Sequence, residues 1–241
     1  MKGKLLKFRY IAIYLLLTLL LFGVIIFIIA YKSKPLEKCV GTVSISTPRV
    51  ILDAGHGGID SGAVSLNGTE EAGINLLIAQ KTDALMAFLG IYSVMTRSDE
   101  GSLNFDPTKS VRENKNADLN ERLKLSRLYS NCDYLSIHLN KFDQSKYFGA
   151  QVFYSSNNSM SLALAESLQN SFISYLDGSN TRKAKKSPEN VYLMNKIMSP
   201  AVTIECGFLS NPKEEEKLSQ DEYQTHISIS ITKGYIDYIK E

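Results

Sequence analysis

Cysteine is scarce in this sequence of 241 residues, and its placement excludes two ways of stabilising a fold. The three cysteines, Cys39, Cys132 and Cys206, are an odd number, lie far apart and form no C-x-x-C pair. Neither a disulfide framework nor a thiolate zinc knuckle has this pattern. We therefore expect the fold to depend on packing, with Cys132 and Cys206 as buried apolar residues.

The sequence also lacks the motifs of several common enzyme classes. It contains no G-x-S-x-G elbow of a serine hydrolase, and its three histidines leave none to activate a cysteine nucleophile. The glycine-rich segment around His56 has neither the Walker lysine nor the G-x-G-x-x-G spacing of a phosphate-binding loop. These absences disfavour serine or cysteine hydrolases and nucleotide-binding proteins.

A large excess of charge is absent once the amino terminus is set aside. The first ten residues hold four cations and no acid, so a formal net charge of +2 for the whole chain leaves −2 for residues 11–241. Nucleic-acid-binding domains carry basic patches that this charge balance does not suggest. We therefore expect no nucleic-acid partner.

A single long apolar run lies near the amino terminus. From Ile11 to Ala30, twenty consecutive residues carry no charge. A helix of this length spans about 30 Å, the hydrocarbon thickness of a bilayer, and the cations before it predict a cytoplasmic amino terminus. A cleaved signal peptide is the alternative, but its apolar region is about 7 to 15 residues long and precedes a small-x-small site. The run ends instead in IIAYKSKP, so we predict an uncleaved anchor with the following domain outside the cytoplasm.

After Pro48, short apolar runs alternate with amphipathic stretches, which predicts an α/β fold. The expected fold is a single domain with a mixed central sheet of about six strands flanked by helices on both faces, preceded by one N-terminal transmembrane helix. The chain then divides into a basic head (1–10), a transmembrane signal anchor (11–30), a linker (31–48) and a folded domain (49–241). The predicted strands are Val50–Asp53, Ile91–Thr96, Tyr134–His138, Ala150–Tyr154, Val191–Met194 and Ala201–Glu205. The predicted helices cover 71–89, 118–130, 159–176 and 221–239.

Two polar stretches are predicted to be long loops, Ser98–Ala117 and Asp177–Asn190. Long polar loops in compact domains often form the rims of functional sites. The second stretch carries four cations, Arg182, Lys183, Lys185 and Lys186. A solvated surface loop is the alternative interpretation of this basic cluster.

Two of the three histidines lie at the ends of predicted strands. His56 follows the first strand and His138 ends the third. The carboxyl edge of an open α/β sheet is where such folds place their sites, and Glu71, in the first turn of a predicted helix, can point to the same edge. Two imidazoles and one carboxylate are the ligand set of a catalytic zinc site, which leaves a fourth position for water. Spacing alone leaves a pair of hydrogen-bonded surface histidines as the alternative.

A second glutamate ends an apolar strand. Glu205 closes the segment AVTIE, where a buried acid is costly unless it has a partner or a task. His226 lies inside the last predicted helix and is not expected to bind a metal.

Four ordered segments resemble the signature blocks of the zinc-dependent N-acetylmuramoyl-L-alanine amidases of bacterial cell walls, the Amidase_3 family. They are VILDAGHGGIDSGAVSLNGTEEAGINL, LNERLKLS, YLSIHLN and PAVTIECGFLSNPKEEEKL, and the resemblance covers residues 49–241. It implies that His56, Glu71 and His138 bind Zn²⁺ and that Glu205 is the catalytic acid and base in cleavage of the bond between N-acetylmuramic acid and L-alanine. Many members carry Ala-Asn where this chain has Ser126-Arg127.

The predicted anchor followed by one domain resembles, more narrowly, the germination-specific amidases of endospore formers. That resemblance implies action on spore-cortex peptidoglycan, as the first step toward muramic-δ-lactam, at a membrane surface. An enzyme that can damage the cell's own wall needs control, and since no inhibitory helix is evident in the sequence, we expect a protein partner or timing to supply it. The candidate substrate contacts are Asn140 and three cations, Arg122, Arg182 and Lys183, since stem peptides carry carboxylates. The alternatives are a vegetative cell-separation amidase and a non-catalytic, amidase-like scaffold that binds the wall.

Overall fold

The computed structural model describes residues 47–240, together with residues 16, 18–20 and 23, which are helical. The basic head (1–10), most of the predicted anchor (11–30) and nearly all of the linker (31–48) therefore lie outside the described residues. Within the part of the chain that is described, no helix is both long and apolar enough to cross a membrane.

A mixed six-stranded sheet forms the centre of the unit Thr47–Glu241. The strands are β1 (Val50–Ala54), β2 (Ser93–Met95), β3 (Asp133–Asn140), β4 (Gln151–Tyr154), β5 (Lys185–Lys186) and β6 (Ala201–Phe208). Their order across the sheet is β2-β1-β3-β6-β4-β5. All neighbouring strands are parallel except β4, which runs antiparallel to β6. The predicted α/β domain with a mixed central sheet is confirmed.

Helices cover both faces of this sheet. In residues 47–240 they are α1 (Glu71–Phe88), α2 (Val111–Leu128), α3 (Met160–Tyr175), α4 (Pro212–Leu218) and α5 (Asp221–Tyr238). The helices α1, α3 and α5 cover one face, with α5 packed against both α1 and α3, while α2 covers the other face. Cys206 lies in the larger core and Cys132 in the smaller one, so both cysteines are buried as expected.

Alternation along the strands decides which residues reach each face. Leu52, Ile137 and Ile204 lie in the larger core beneath α1, α3 and α5, whereas Ile51 and Tyr134 lie in the smaller core beside α2. Successive side chains of a strand point to opposite faces of the sheet. The polar residues that neighbour these larger-core residues along each strand therefore point to the face that α2 covers. These residues are Asp53, Ser136, His138, Thr203 and Glu205.

Three predicted segments differ from the structure. The predicted loop Asp177–Asn190 contains the short strand β5 (Lys185–Lys186), which pairs with β4. The predicted strand Val191–Met194 is wrong, because this segment forms turns in which Leu193 and Met194 both contribute to the smaller core. An alternating strand would send adjacent residues to opposite faces. The predicted loop Ser98–Ala117 is wrong in its second half, because Ser110 and Glu113 form a capping box that begins α2 at Val111.

Candidate metal centre and adjoining cavity

His56 lies in a tight glycine-rich turn directly after β1. Its φ of 62° is the only positive φ of a non-glycine residue in the described chain, and Gly57 and Gly58 also have positive φ values. A Cβ atom on Gly55 would lie 2.3 Å from the ring of His138. Glycine at this position therefore lets the two imidazoles approach, with ring centroids 4.8 Å apart and planes at 80°.

Glu71 reaches the same edge from the first turn of α1. Its Oε1 accepts a hydrogen bond from the Leu139 amide at 3.0 Å, and its Oε2 accepts one from the Ala63 amide at 2.8 Å. Burial alone would raise the pKa of Glu71, but its hydrogen bonds with His138 and His56 hold that pKa well below the usual range of a carboxyl. The Glu71 side chain is therefore an ionised carboxylate held in a fixed position.

The three side chains converge on one point. Oε1 of Glu71 lies 2.9 Å from Nδ1 of His138 and 3.3 Å from Nε2 of His56. One ligand atom from each residue lies within 4.8 Å of the others, so the group can hold a metal ion. His226, by contrast, is exposed on α5 and takes no part in this group.

Asp60 fixes the orientation of His56. Its Oδ2 lies 2.9 Å from Nδ1 of His56, and its Oδ1 lies 2.7 Å from the ammonium of Lys115 on α2. Burial disfavours the charged imidazole, but hydrogen bonds to Asp60 and Glu71 raise the pKa of His56 to about 9. A carboxylate on Nδ1 leaves Nε2 to face a metal, an arrangement common around metal-bound histidines. Asp60 is a site residue that the sequence did not predict, although it lies only four residues after His56.

Two buried arginines hold the turn that carries His56. Arg97 donates to the carbonyls of Ala54 (2.9 Å), Gly55 (3.1 Å) and Ala72 (2.7 Å). Arg122 donates to the carbonyls of Ala54 (2.8 Å) and His56 (2.6 Å). Between them these guanidiniums bind the carbonyls of three successive residues, so buried side chains from β1's neighbouring elements support the turn.

Arg122 is not placed as a cation that is free to bind a substrate. Its side chain is 2% exposed and pairs with Asp53 and Asp118. This placement argues against the predicted substrate contact, because both carboxylates are already bound to the guanidinium. Arg97 was not predicted at all, since its contacts join residues far apart in the chain.

Glu205 lies beside the group formed by His56, Glu71 and His138, on the strand next to β3. It is the Cα partner of His138 in the β3–β6 pair, so both side chains leave the sheet on the α2 face. Its Oε2 is buried and has no hydrogen-bond partner. Burial is the main cause that raises the pKa of Glu205, to about 7. The interaction with His138 lowers this pKa, and the charge of Glu71 adds a smaller increase. The carboxyl can therefore gain or lose a proton near neutral pH.

A cavity of about 560 Å³ adjoins Glu205 on the side of β4 and β5. Two of the predicted substrate contacts, Asn140 and Arg182, line it, as does Lys185. Lys183 is exposed and does not line the cavity; its backbone carbonyl accepts a hydrogen bond from Gln151. The structure thus brings Asn140 and Arg182, but not Lys183, to the edge of the site.

Comparisons with known proteins show what this chain is similar to. The family model described as N-acetylmuramoyl-L-alanine amidase (Amidase_3) matches residues 50–237. The germination-specific N-acetylmuramoyl-L-alanine amidase of Bacillus subtilis (strain 168) is 34% identical over 200 residues, which are 83% of each chain. The amidase AmiA of Escherichia coli (strain K12) is 27% identical over 248 residues, covering 86% of this chain and 80% of AmiA. The solved structure of the CwlD amidase from Clostridioides difficile, in complex with the GerS lipoprotein, superposes with a TM-score of 0.77 at 39% identity, covering 80% of this chain and 98% of that one.

Proposed function

Since the chain belongs to the Amidase_3 family of N-acetylmuramoyl-L-alanine amidases, we propose that it hydrolyses the amide bond between N-acetylmuramic acid and the L-alanine of the stem peptide in peptidoglycan. One observation carries the proposal. A carboxyl with an unpartnered buried oxygen, that of Glu205, lies on the strand next to a group of three residues that can hold a metal. Amide hydrolysis at a metal site needs a proton-transferring group in this position.

We assign zinc to the group formed by His56, Glu71 and His138. Two imidazoles and one carboxylate are a common donor set of catalytic zinc sites. The site has room for an ion only because Gly55 and Gly62 lack side chains: a Cβ on Gly62 would lie 2.7 Å from both Glu71 Oε2 and the ring of His56. When bound, zinc supplies a Lewis acid that lowers the pKa of water toward ~7 and polarises the carbonyl of the scissile amide.

Glu205 moves the proton in this mechanism. It accepts a proton from the attacking water and returns it to the L-alanine nitrogen as the C–N bond of the amide breaks. Its raised pKa, about 7, suits both halves of that transfer. Its Oε2 makes no hydrogen bond within the described protein, so this oxygen is not committed to another side chain or to the backbone. Asn140 and Arg182 line the neighbouring cavity and are assigned to substrate binding.

The setting that we propose is the spore cortex. The relative in Bacillus subtilis is named as germination-specific, and the Clostridioides difficile enzyme was solved in complex with a lipoprotein. By analogy, this chain removes stem peptides as the first step toward muramic-δ-lactam, outside the cytoplasm. Residues 11–30 anchor it in a membrane, and a protein partner activates or regulates it.

The reaction is tested with residues 47–241, which form a compact unit, supplied with zinc and incubated with purified peptidoglycan. Mass spectrometry is expected to show free stem peptides that begin with L-alanine, together with muramic acid that has lost its peptide. A zinc-loaded domain that releases neither product from cortex or vegetative peptidoglycan, with its regulating partner added as well as without it, would overturn the assignment. The cortex role is tested separately, by measuring muramic-δ-lactam in spores that lack this protein, where we expect none.

A further inference from the structure

A row of three side chains crosses the sheet, starting at the metal group formed by His56, Glu71 and His138. Glu205 on β6 is the Cα partner of His138 on β3 and of Gln151 on β4. Paired residues on adjacent strands lie about 5 Å apart and point to the same face. The row therefore runs His138, Glu205, Gln151, away from the metal group and toward β5.

Arg182 extends this row by one more residue. Its Nη1 donates to Oε1 of Gln151 at 2.9 Å, and its Nε donates to the carbonyl of Phe148 at 2.8 Å. The guanidinium carbon lies 4.6 Å from the centre of the Phe208 ring. These three contacts fix the guanidinium. Among the described residues Nη2 makes no hydrogen bond, so one edge of the charged group stays available.

The surroundings of Arg182 form a built pocket. The cavity of about 560 Å³ has aromatic walls from Phe142, Tyr147 and Phe153, and Lys185 supplies a second cation. Ser187 also lines it, and its hydroxyl is buried without a partner. Glu214 is an acid whose charge acts on Arg182, but its oxygens accept hydrogen bonds from the Gly149 and Phe208 amides rather than from the guanidinium. Within residues 47–240, Glu205 is the one acid that lines this cavity, and it lies at the end toward the metal group. The end that holds the two cations and the aromatic walls suits an anionic group on a peptide.

We propose that Arg182 binds the free carboxylate of the stem-peptide residue that follows L-alanine, and that it makes this amidase selective for an acid over an amide at that position. The inference rests on the proposed function, which places the scissile bond beside Glu205. On the peptide side of that bond the substrate carries carboxylates, whereas the N-acetylated sugar on the other side is neutral. Two residues of extended peptide reach about 7 Å, so the second residue reaches past Glu205 toward the Arg182 end of the row. The peptide thus lies over β4 and β5.

The test uses the full-length chain, zinc-loaded in detergent, and two synthetic muropeptides that differ only at the residue after L-alanine. One carries a free carboxylate there and the other a carboxamide. We expect kcat/KM to favour the acid by about 10-fold or more, since hydrogen bonds to charged groups are stronger than those to neutral ones. Arg182→Gln is expected to lower kcat/KM for the acid by about 10- to 100-fold, mainly through KM, and to lower it much less for the amide.

Two further variants separate charge recognition from a general structural effect. Arg182→Lys keeps the charge but loses the planar fork, so it should recover part of the preference for the acid. Lys196→Gln removes an exposed cation that does not line the cavity and should change neither substrate. A wild-type enzyme without preference, an equal loss on both substrates in Arg182→Gln, or a preference that survives this substitution would each overturn the inference.

Binding measurements distinguish this inference from the proposed function. Calorimetry with the Glu205→Gln chain reports the affinities for the two muropeptides without turnover. Tighter binding of the acid that is lost in Arg182→Gln/Glu205→Gln supports the carboxylate site even if the wild-type chain cleaves neither compound, in which case only the amidase assignment fails. Equal affinities for acid and amide would reject the site whether or not cleavage occurs.

Discussion

Arg122 donates a hydrogen bond of 2.6 Å to the backbone carbonyl of His56, and so ties α2 to the one described non-glycine residue with a positive φ. The same guanidinium pairs with the buried carboxylate of Asp53 at the end of β1. A strained turn persists only where its surroundings determine it. The Arg122 side chain is thus a support of the metal group, built from contacts between β1, its turn and α2.

Removing this support is expected to destabilise the fold strongly. In Arg122→Met, the Asp53 carboxylate stays buried without its partner, so the free energy of unfolding should fall by about 3–5 kcal/mol. Urea unfolding of the metal-free domain measures this. Arg127→Met, at an exposed position of the same helix, should change the free energy by less than about 0.5 kcal/mol. Equal effects of the two substitutions would contradict the role given to Arg122.

The Asp53–Arg122 pair also predicts a dependence of stability on pH. Burial alone would raise the pKa of Asp53, but Arg122 and the hydroxyls of Ser136 and Thr96 outweigh burial and lower it from 3.8 to about 2. Because the folded-state pKa is depressed, the stabilisation is complete above pH 3.8 and is lost as the pH falls through 2. The contribution is about 2 kcal/mol.

Unfolding of the metal-free domain between pH 5 and pH 2, in the wild type and in Asp53→Asn, isolates this contribution. The variant should be less stable at pH 5, because Arg122 loses its partner, and should lose less stability toward pH 2. Parallel pH profiles of the two proteins would show that Asp53 does not carry the effect.

The glycine turn predicts a steric test of the metal group. Gly55→Ala places a Cβ atom 2.3 Å from the His138 ring, so the imidazole must move and zinc affinity should fall by at least about 10-fold. Gly73→Ala is the matched control, because its Cβ would meet nothing within 4 Å inside α1. This control should bind zinc normally and gain up to about 1 kcal/mol of stability from helix propensity. Competition with a chromophoric chelator measures the affinities, and unchanged binding in Gly55→Ala would refute the close approach.

Asp60 is expected to affect zinc binding through its contact with His56. Without the carboxylate on Nδ1, the imidazole loses its orientation, and Asp60→Ala should weaken zinc binding by about 10- to 100-fold. Asp143→Ala, at an exposed position, should leave the zinc affinity unchanged. Competition with the same chelator measures the zinc affinities of these two variants. Wild-type affinity in Asp60→Ala would mean that the ring is held by its other contacts.

The site residues that the sequence predicts best are those whose positions depend on strong local patterns. His56 follows the end of β1, Glu71 begins α1, and His138 and Glu205 lie in the carboxyl-terminal halves of β3 and β6. Their meeting at one edge follows from the topology of an α/β sheet. Their order in the chain also matches the family's motifs. The roles assigned to them remain predictions until the experiments are done.

The rest depends on contacts that local patterns do not encode. Arg97 and Gln151 act through partners distant in the chain, and the polar character of each residue is equally compatible with an exposed loop. Strand β5 consists of two exposed lysines, which gain their extended form by pairing with Phe153 and Tyr154. The wrong strand at Val191–Met194 has the opposite cause, because its apolar residues fill a core without entering the sheet.

The most direct test of the account compares Glu205→Gln with the wild type, both zinc-loaded, with the rate of stem-peptide release and the bound zinc measured on the same samples. The amide keeps the shape of the side chain but cannot take a proton from water, so release should fall by at least about 100-fold while zinc content and thermal stability stay unchanged. Glu166→Gln, on the exposed side of α3, should match the wild type in all three measurements. A Glu205→Gln protein that binds zinc and releases stem peptides at a rate near that of the wild type would contradict the account.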